Sequence, residues 1–260
     1  MSIQTAEDAL RRAAGFAQNG MAYADADELA QYRTLRDDAH ALVLLGQRQG
    51  EHHIHWAAGS AQALLEATQG LHPLRVAFVP EAWLPALQAA GFVITAEFVD
   101  FFHAGLKDWQ CEGREVEAMR FLPPEQAQAA HEVSLACRLQ SRGFEGEPAS
   151  FFAQWETEQE NGRTLAAYKG DTLVGYCCVG TYGEQDRRTL WLREIAVHPH
   201  HQGKGHGKRL AQQALGYGLA HGCAKAFLAA DVLNRNAIGL YHSLGFAAQP
   251  GRGEINLRRP

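Results

Sequence analysis

The sequence predicts an α+β chain built around a mixed sheet, and three observations carry that reading. Strand-like runs and amphipathic stretches succeed one another along most of the 260 residues. The hydrophobic fraction is 46% and the charged fraction 20%, near the globular average, which excludes a disordered or collagenous chain. In the second half the elements read β-α-α-β-β-β-α-β-α-β-β. At about 150 residues per domain the length suggests one large domain or two modest ones.

Taken in order, the first ~40 residues read as helical, from apolar spacing and the lack of strand signals. ALVLLGQ (41–47) is a strand, and EHHIHWAA (51–58) alternates like a second, with His52, His53 and His55 read as surface residues. Gly59-Ser60 starts a helix with Ser60 as N-cap. LRVAFVP (74–80) is a strand ended by Pro80, EAWLPALQAAG (81–91) is a helix stopped by Gly91, and FVITAEFVDFF (92–102) is a strand or hairpin. Weak periodicity over 103–113 puts a boundary there, giving an N-terminal unit 1–110 and a second domain 111–260. After it, EVEAMRFL (115–122) reads as a strand, Pro123-Pro124 opens a helix, SRGFEGE (141–147) is a loop and Pro148 opens another helix. Gly170-Asp171 turns a hairpin, and RTLWLREIAV (188–197) is a longer strand. A helix runs from about Gly205 to His221 with Leu210, Ala211, Ala214, Leu215, Gly218 and Leu219 on one face. KAFLAA (225–230) is a strand, NAIGLYHSL (236–244) a helix stopped by Gly245, and FAAQ and EINLR are the last strands.

Composition excludes several classes. A net charge of -5 argues against a general nucleic-acid binder. No run approaches the ~20 apolar residues of a membrane span, and the N-terminus has no apolar signal core. The five cysteines form no CxxC pair, which argues against a disulfide scaffold or zinc ribbon and fits a cytoplasmic chain. Cys177 and Cys178, adjacent on a strand, face opposite ways. His198, His200, His201 and His206 lie at no recognised ligand spacing, so no metal is expected.

The informative stretch is Ile195 to Lys208. A strand runs into a loop with Gly203, Gly205 and Gly207, and the loop opens a helix. A helix start offers free N–H groups and a positive dipole end, glycines let a phosphate approach, and Lys204 and Lys208 add charge. A Walker A loop fails here because Arg209 follows Lys208 and Gln202 stands where the first glycine should be. A dinucleotide GxGxxG fails at Lys208. What fits is Gln-x-x-Gly-x-Gly at Gln202, Gly205 and Gly207.

This stretch resembles motif A of the GNAT N-acetyltransferase superfamily. Asn234 to Phe246 resembles the same family's N-x-x-A-x-x-L-Y-x-x-x-G-F pattern, and the likeness extends over roughly 114–260. The resemblance implies a GNAT-like fold, a mixed and mostly antiparallel central sheet flanked by helices. It implies acetyl-CoA as cosubstrate, with Ile195, Ala196 and Val197 pairing with the pantetheine arm at a splayed strand. Gln202, Gly203, Lys204, Gly205, His206, Gly207 and Lys208 would wrap the pyrophosphate. Asn234 and Ile238 would touch the arm, and Tyr241 would give its proton to the leaving thiolate. Asn234 reads equally well as a turn residue before Asn236 as N-cap. At the acceptor end, alternation points Glu194 away from the face of Arg193, unless a bulge re-aims it as general base. Arg193 would suit an anionic acceptor, and Phe144, with Arg142 and Glu145, lies in the loop that shapes acceptor specificity.

The first half has no such loop. Strand, helix and Ala90-Gly91-Phe92 resemble the family's tail, so residues 1–110 read as a degenerate half-GNAT-like unit without a cofactor loop. The expected activity is N-acetyl transfer to a small-molecule or peptide amine by direct attack, in a monomer or homodimer. The alternative is a non-catalytic module that senses acyl-CoA.

Overall fold

A computed structural model describes residues 2–48, 50–109, 119–184, 187–249, 251 and 253–260. The chain divides into two compact units, Met1–Glu97 with Gly253–Pro260, and Phe98–Arg252. The first holds α1 (Ile3–Ala13), β1 (Gln18–Asn19), α2 (Ala26–Ala30), β2 (Arg33–Asp37), β3 (Ala41–Arg48), β4 (Glu51–Ala58), α3 (Ala61–Ala67), β5 (Leu74–Val76) and α4 (Leu84–Ala89). Next comes β6 (Val93–His103), within which the division falls. The second unit continues with α5 (Ala127–Ala136), α6 (Ala149–Glu158), β7 (Arg163–Lys169), β8 (Thr172–Tyr182), β9 (Thr189–Val197), α7 (His206–Ala220), β10 (Lys225–Asp231), α8 (Arg235–Ser243) and β11 (Ala247–Ala248). The last strand, β12 (Ile255–Arg259), belongs to the first unit.

The sheet of the first unit runs β2-β3-β4-β5-β12-β6, and that of the second β7-β8-β9-β10-β6-β11. In each, the strand pairs described are antiparallel except one, β4 with β5 and β9 with β10. Both units thus repeat one order: two helices, three antiparallel strands, a helix, a strand, a helix and a strand. In each, a strand from outside that run is inserted before the last one.

Helices cover both faces of each sheet. In the first unit Met21, Leu29, Tyr32 and Leu44 pack on the α1 and α2 side, and Ile54, Trp56, Leu64 and Leu87 on the α3 and α4 side. In the second, Val133, Phe152, Trp155 and Tyr176 pack under α5 and α6, and Leu190, Leu210, Leu215 and Tyr241 under α7 and α8. Truncating such a leucine to alanine costs about 2–5 kcal/mol. Helix α7 lies close on β9 because a Cβ at Gly218 would meet Leu190 at 2.9 Å.

The structure departs from the sequence reading in places. Residues 33–37 form a strand, not helix, because α1 and α2 are short and Arg33–Asp37 pairs with β3 as an edge strand. The division falls at Glu97/Phe98 rather than 110/111, and EINLR pairs with β5 and with the first half of β6. Strand β5 stops at Val76, since Phe78 takes a φ of 59°. The first half of the strand expected over 115–122 lies outside the described residues, as does Cys111; Phe121 makes a single bridge to Leu165. His53 and His55 are buried rather than on the surface, because α1 and α2 cover their face of β4. Cys177 and Cys178 do face opposite cores.

Candidate active site

Strands β9 and β10 pair only over Thr189–Trp191 and Lys225–Phe227. Beyond Trp191, no described strand pairs with β9 on that side, while β8 stays paired on the other as far as Val197. The donation of His198 N–H to Val174 O at 2.9 Å fixes the alternation, so the backbone groups of Ile195 and Val197 face away from β8 into the gap. The Val197 carbonyl there accepts from Gln202 Nε2 at 2.8 Å and from Cys137 Sγ at 3.3 Å.

A β-bulge sits at the same place. Val179 lies opposite Leu192 and Cys178 opposite Glu194, leaving Arg193 as the extra residue. Leu192 and Ile195 turn towards α7, while Arg193 and Glu194 both turn towards α5 and α6. The bulge therefore undoes the alternation that would have pointed Glu194 away. Arg193 is engaged: its Nη2 lies 3.1 Å from Glu147 Oε1, its Nη1 3.8 Å from Glu194 Oε2, and its guanidinium stands over Phe151. Glu194 accepts from Tyr176 O–H at 3.5 Å. Burial, with Glu147 adding to it, pushes Glu194 up to about 7 against the pull of Arg193 and Tyr176.

The loop after β9 makes one 3₁₀ turn at Pro199–His201. Gly203 and Gly205 then take φ of 72° and 83°, the left-handed region where a side chain costs strain. Gly205 is the N-cap of α7 and no side chain caps the helix. Lys204 Nζ donates to His200 O at 2.9 Å, and Arg209 Nη2 meets His206 Nδ1 at 3.1 Å. Gly207 faces Leu240 and Val197, where a Cβ would sit 3.6 and 3.8 Å from them. The result is an uncapped helix start at the end of an open strand edge. An extended chain could pair with the edge and an anion could take the N–H groups.

Helix α8 begins at Arg235 with Asn234, not Asn236, as N-cap, its Oδ1 accepting from Ala237 N–H at 3.2 Å. That job engages the side-chain oxygen of Asn234, the residue the resemblance sets beside the arm. Ile238 is part-buried against the α7 side core. Tyr241 is buried on the same face, and burial first, then Cys177 and Glu194, hold its hydroxyl protonated well above the ordinary tyrosine value. Phe144 packs beside the α5 and α6 core.

Four residues that sequence reasoning did not single out complete the site. Asp231, at the end of β10, accepts from Arg142 N–H at 2.5 Å, Arg142 Nη2 at 3.0 Å and Leu233 N–H at 2.9 Å. Glu147 pairs with Arg193, Ser134 Oγ accepts from Glu147 N–H at 2.7 Å, and Tyr176 reaches Glu194. The loop 141–147 is thus tied to β10 at one end and to the bulge of β9 at the other. The one cue was a carboxylate, Asp231, closing a strand that is apolar from Ala226 to Ala230.

Residues 127–246 match the model of the acetyltransferase (GNAT) family. A mycothiol acetyltransferase of Streptomyces avermitilis is 34% identical over 111 residues, covering 41% of this chain and 34% of that protein. A probable spermine N(1)-acetyltransferase of Bacillus subtilis subsp. natto is 36% identical over 85 residues, 30% of this chain and 55% of that one. The chain therefore spans between a third and just over half of these relatives. A solved GCN5-related N-acetyltransferase from Sphaerobacter thermophilus superposes with a TM-score of 0.62 at 14% identity, covering 86% of this chain and 78% of that one, and shares the fold.

Proposed function

We propose that this chain, which belongs through residues 127–246 to the acetyltransferase (GNAT) family, moves an acetyl group from acetyl-CoA to a primary amine. The observation that carries this reading is the open edge of β9 running into the uncapped, glycine-lined start of α7. In this reading the backbone of Ile195 pairs with the pantetheine arm and the Val197 N–H polarises the thioester carbonyl, while Ala196, expected to join them, turns its backbone to Tyr176 of β8. Gln202 to Lys208 hold the pyrophosphate. Asn234 and Ile238 flank the arm.

The transfer is direct. The amine nitrogen attacks the thioester carbon, the C–S bond breaks, and Tyr241 gives its proton to the departing sulfur. A primary amine of pKa near 10.4 costs about 4.6 kcal/mol to neutralise at pH 7. Glu194, held at about 7, suits the task of taking that proton. Arg193, already engaged by Glu147 and Glu194, holds the base in place rather than meeting an acceptor carboxylate. Phe144 and the tied loop 141–147 wall the acceptor side. The first unit is a GNAT-like unit without a cofactor loop. Among the described residues no helix is long and apolar enough to cross a membrane.

Thermal unfolding with acetyl-CoA and CoA, against ATP and NAD, tests the cosubstrate. At about 100 Kd, binding adds about 2.7 kcal/mol, a rise of several degrees. Turnover is then measured with polyamines, amino acids and peptides, spermine first because a relative carries that name. A shift without turnover on any amine would replace the enzyme by an acyl-CoA sensor. No shift with either thioester or thiol would remove the reading altogether.

A further inference from the structure

We propose that the first unit holds a second copy of the acyl-CoA slot, occupied by the chain's own residues Gln18–Gly20, so that each chain binds a single equivalent of acetyl-CoA. This rests on the reading that the gap beside β9 takes the cosubstrate.

Hydrogen bonds set the correspondence between the two strands. Gly59 N–H donates to His40 O at 3.0 Å just as His198 N–H donates to Val174 O, each being the first residue after its strand. Counting back, Ala58 stands where Val197 does, Trp56 where Ile195 does and His55 where Glu194 does. Each strand is paired along its length on one side, with β3 or β8. On the other side each pairs in parallel only at its start, over His52–Ile54 and Thr189–Trp191.

Past those starts the two strands differ. Among the described residues the edge beside β9 is open, but beside β4 it is taken by β1. Gln18 pairs with Ala58 and Asn19 with Ala57, and Gly20 N–H donates to Trp56 O at 2.9 Å. The Trp56 carbonyl, counterpart of Ile195's, is therefore already engaged. The fit is close: a Cβ at Gly20 would lie 2.6 Å from the Trp56 ring. Met21 next to it is wholly buried, and Trp56 Nε1 donates to Ala77 O at 2.8 Å. The anion end is closed as well. Only Gly59 and Ser60 separate β4 from α3, and Ser60 Oγ accepts the Ala63 N–H at 3.2 Å.

The occupant has a counterpart too. It belongs to the connection between α1 and α2, residues 14–25, which equals in length the connection between α5 and α6, residues 137–148. The first enters its own unit's gap. The second is tied to Asp231 and Arg193 by Arg142 and Glu147.

Calorimetric titration of the full chain with acetyl-CoA, joined to hydrogen-exchange mass spectrometry with and without it, tests this. The expected result is one equivalent bound, with exchange slowed over 193–208. Peptides 17–21 and 54–60 should exchange slowly in the free protein and stay unchanged by ligand. Gly20→Val should speed exchange over 54–60, and Gly205→Val should weaken the single site at least tenfold and leave no second site of unchanged affinity. A second equivalent, protection of 54–60 by acetyl-CoA, or fast exchange at 17–21 in the free protein would overturn the inference while the function stands. No binding at all would take down the functional reading, and the inference with it.

Discussion

The two units set one succession of helices and strands against itself with opposite outcomes. In the second, β9 parts from β10, its edge stays open, and a loop with three glycines brings it to an uncapped helix. In the first, β4 parts from β5 in the same way, but β1 fills the gap and Ser60 caps the helix. At the register position of Glu194 the first unit carries His55, under Tyr32 and beside Glu28. The lesson is that the scaffold supplies a cleft, and what fills the edge and caps the helix decides whether a ligand can use it.

The most severe loss should come at Tyr241, the proposed acid. Tyr241→Phe should lower kcat by about 10²–10⁴ with acetyl-CoA binding kept, and an unchanged kcat would remove Tyr241 from the mechanism. Next is the proposed base. If Glu194, raised to about 7, takes the amine proton, it acts only when deprotonated, so kcat/KM should fall up to about tenfold per pH unit below that point and level above it. Glu194→Gln should lower the rate and flatten that limb.

The helix starts come third. Gly205→Val forces a side chain into a φ of 83°, at about 1–2 kcal/mol, and should raise the acetyl-CoA Kd at least tenfold in titration. Ser60→Ala, its counterpart, should cost about 1 kcal/mol of stability by denaturant unfolding and leave Kd alone.

The last test is in acid. Burial holds His53 and His55 at about 4, below the ordinary 6.5, so the unfolded chain binds more protons between those values. The first unit should lose stability as pH falls from 6.5 towards 4. Glu194, raised from 4.5 to about 7, has the reverse sign: its burial cost is absent at low pH and grows as pH rises through that window. Hydrogen exchange at pH 5 and 7.5 should therefore open first-unit peptides more at the lower pH, and His55→Gln should reduce that difference.

The loop and helix start were legible because glycines, Gln202 and two lysines at fixed spacing leave few other uses for the segment. Ser60 announced its helix for the same local reason. The bulge at Arg193 was not legible, because it exists only in the register of β9 against β8. Nor was the tie between Arg142 and Asp231, 89 residues apart. Strand β2 escaped because Arg33–Asp37 has one apolar residue, Leu35, and owes its form to β3. His53 and His55 looked exposed because alternation cannot tell a face covered by helices from one in water.

Strand β6 carries a consequence for synthesis. Its first part pairs with β12 and its second with β10, and β12 is made of residues 255–259. On the ribosome, the first unit is missing an inner strand of its sheet until those residues have emerged, after the whole second unit. The earlier-made half is the later one to be completed. A fragment cut at 110/111 would take from the second unit the strand between β10 and β11, so expressing the halves apart gives two unfinished sheets.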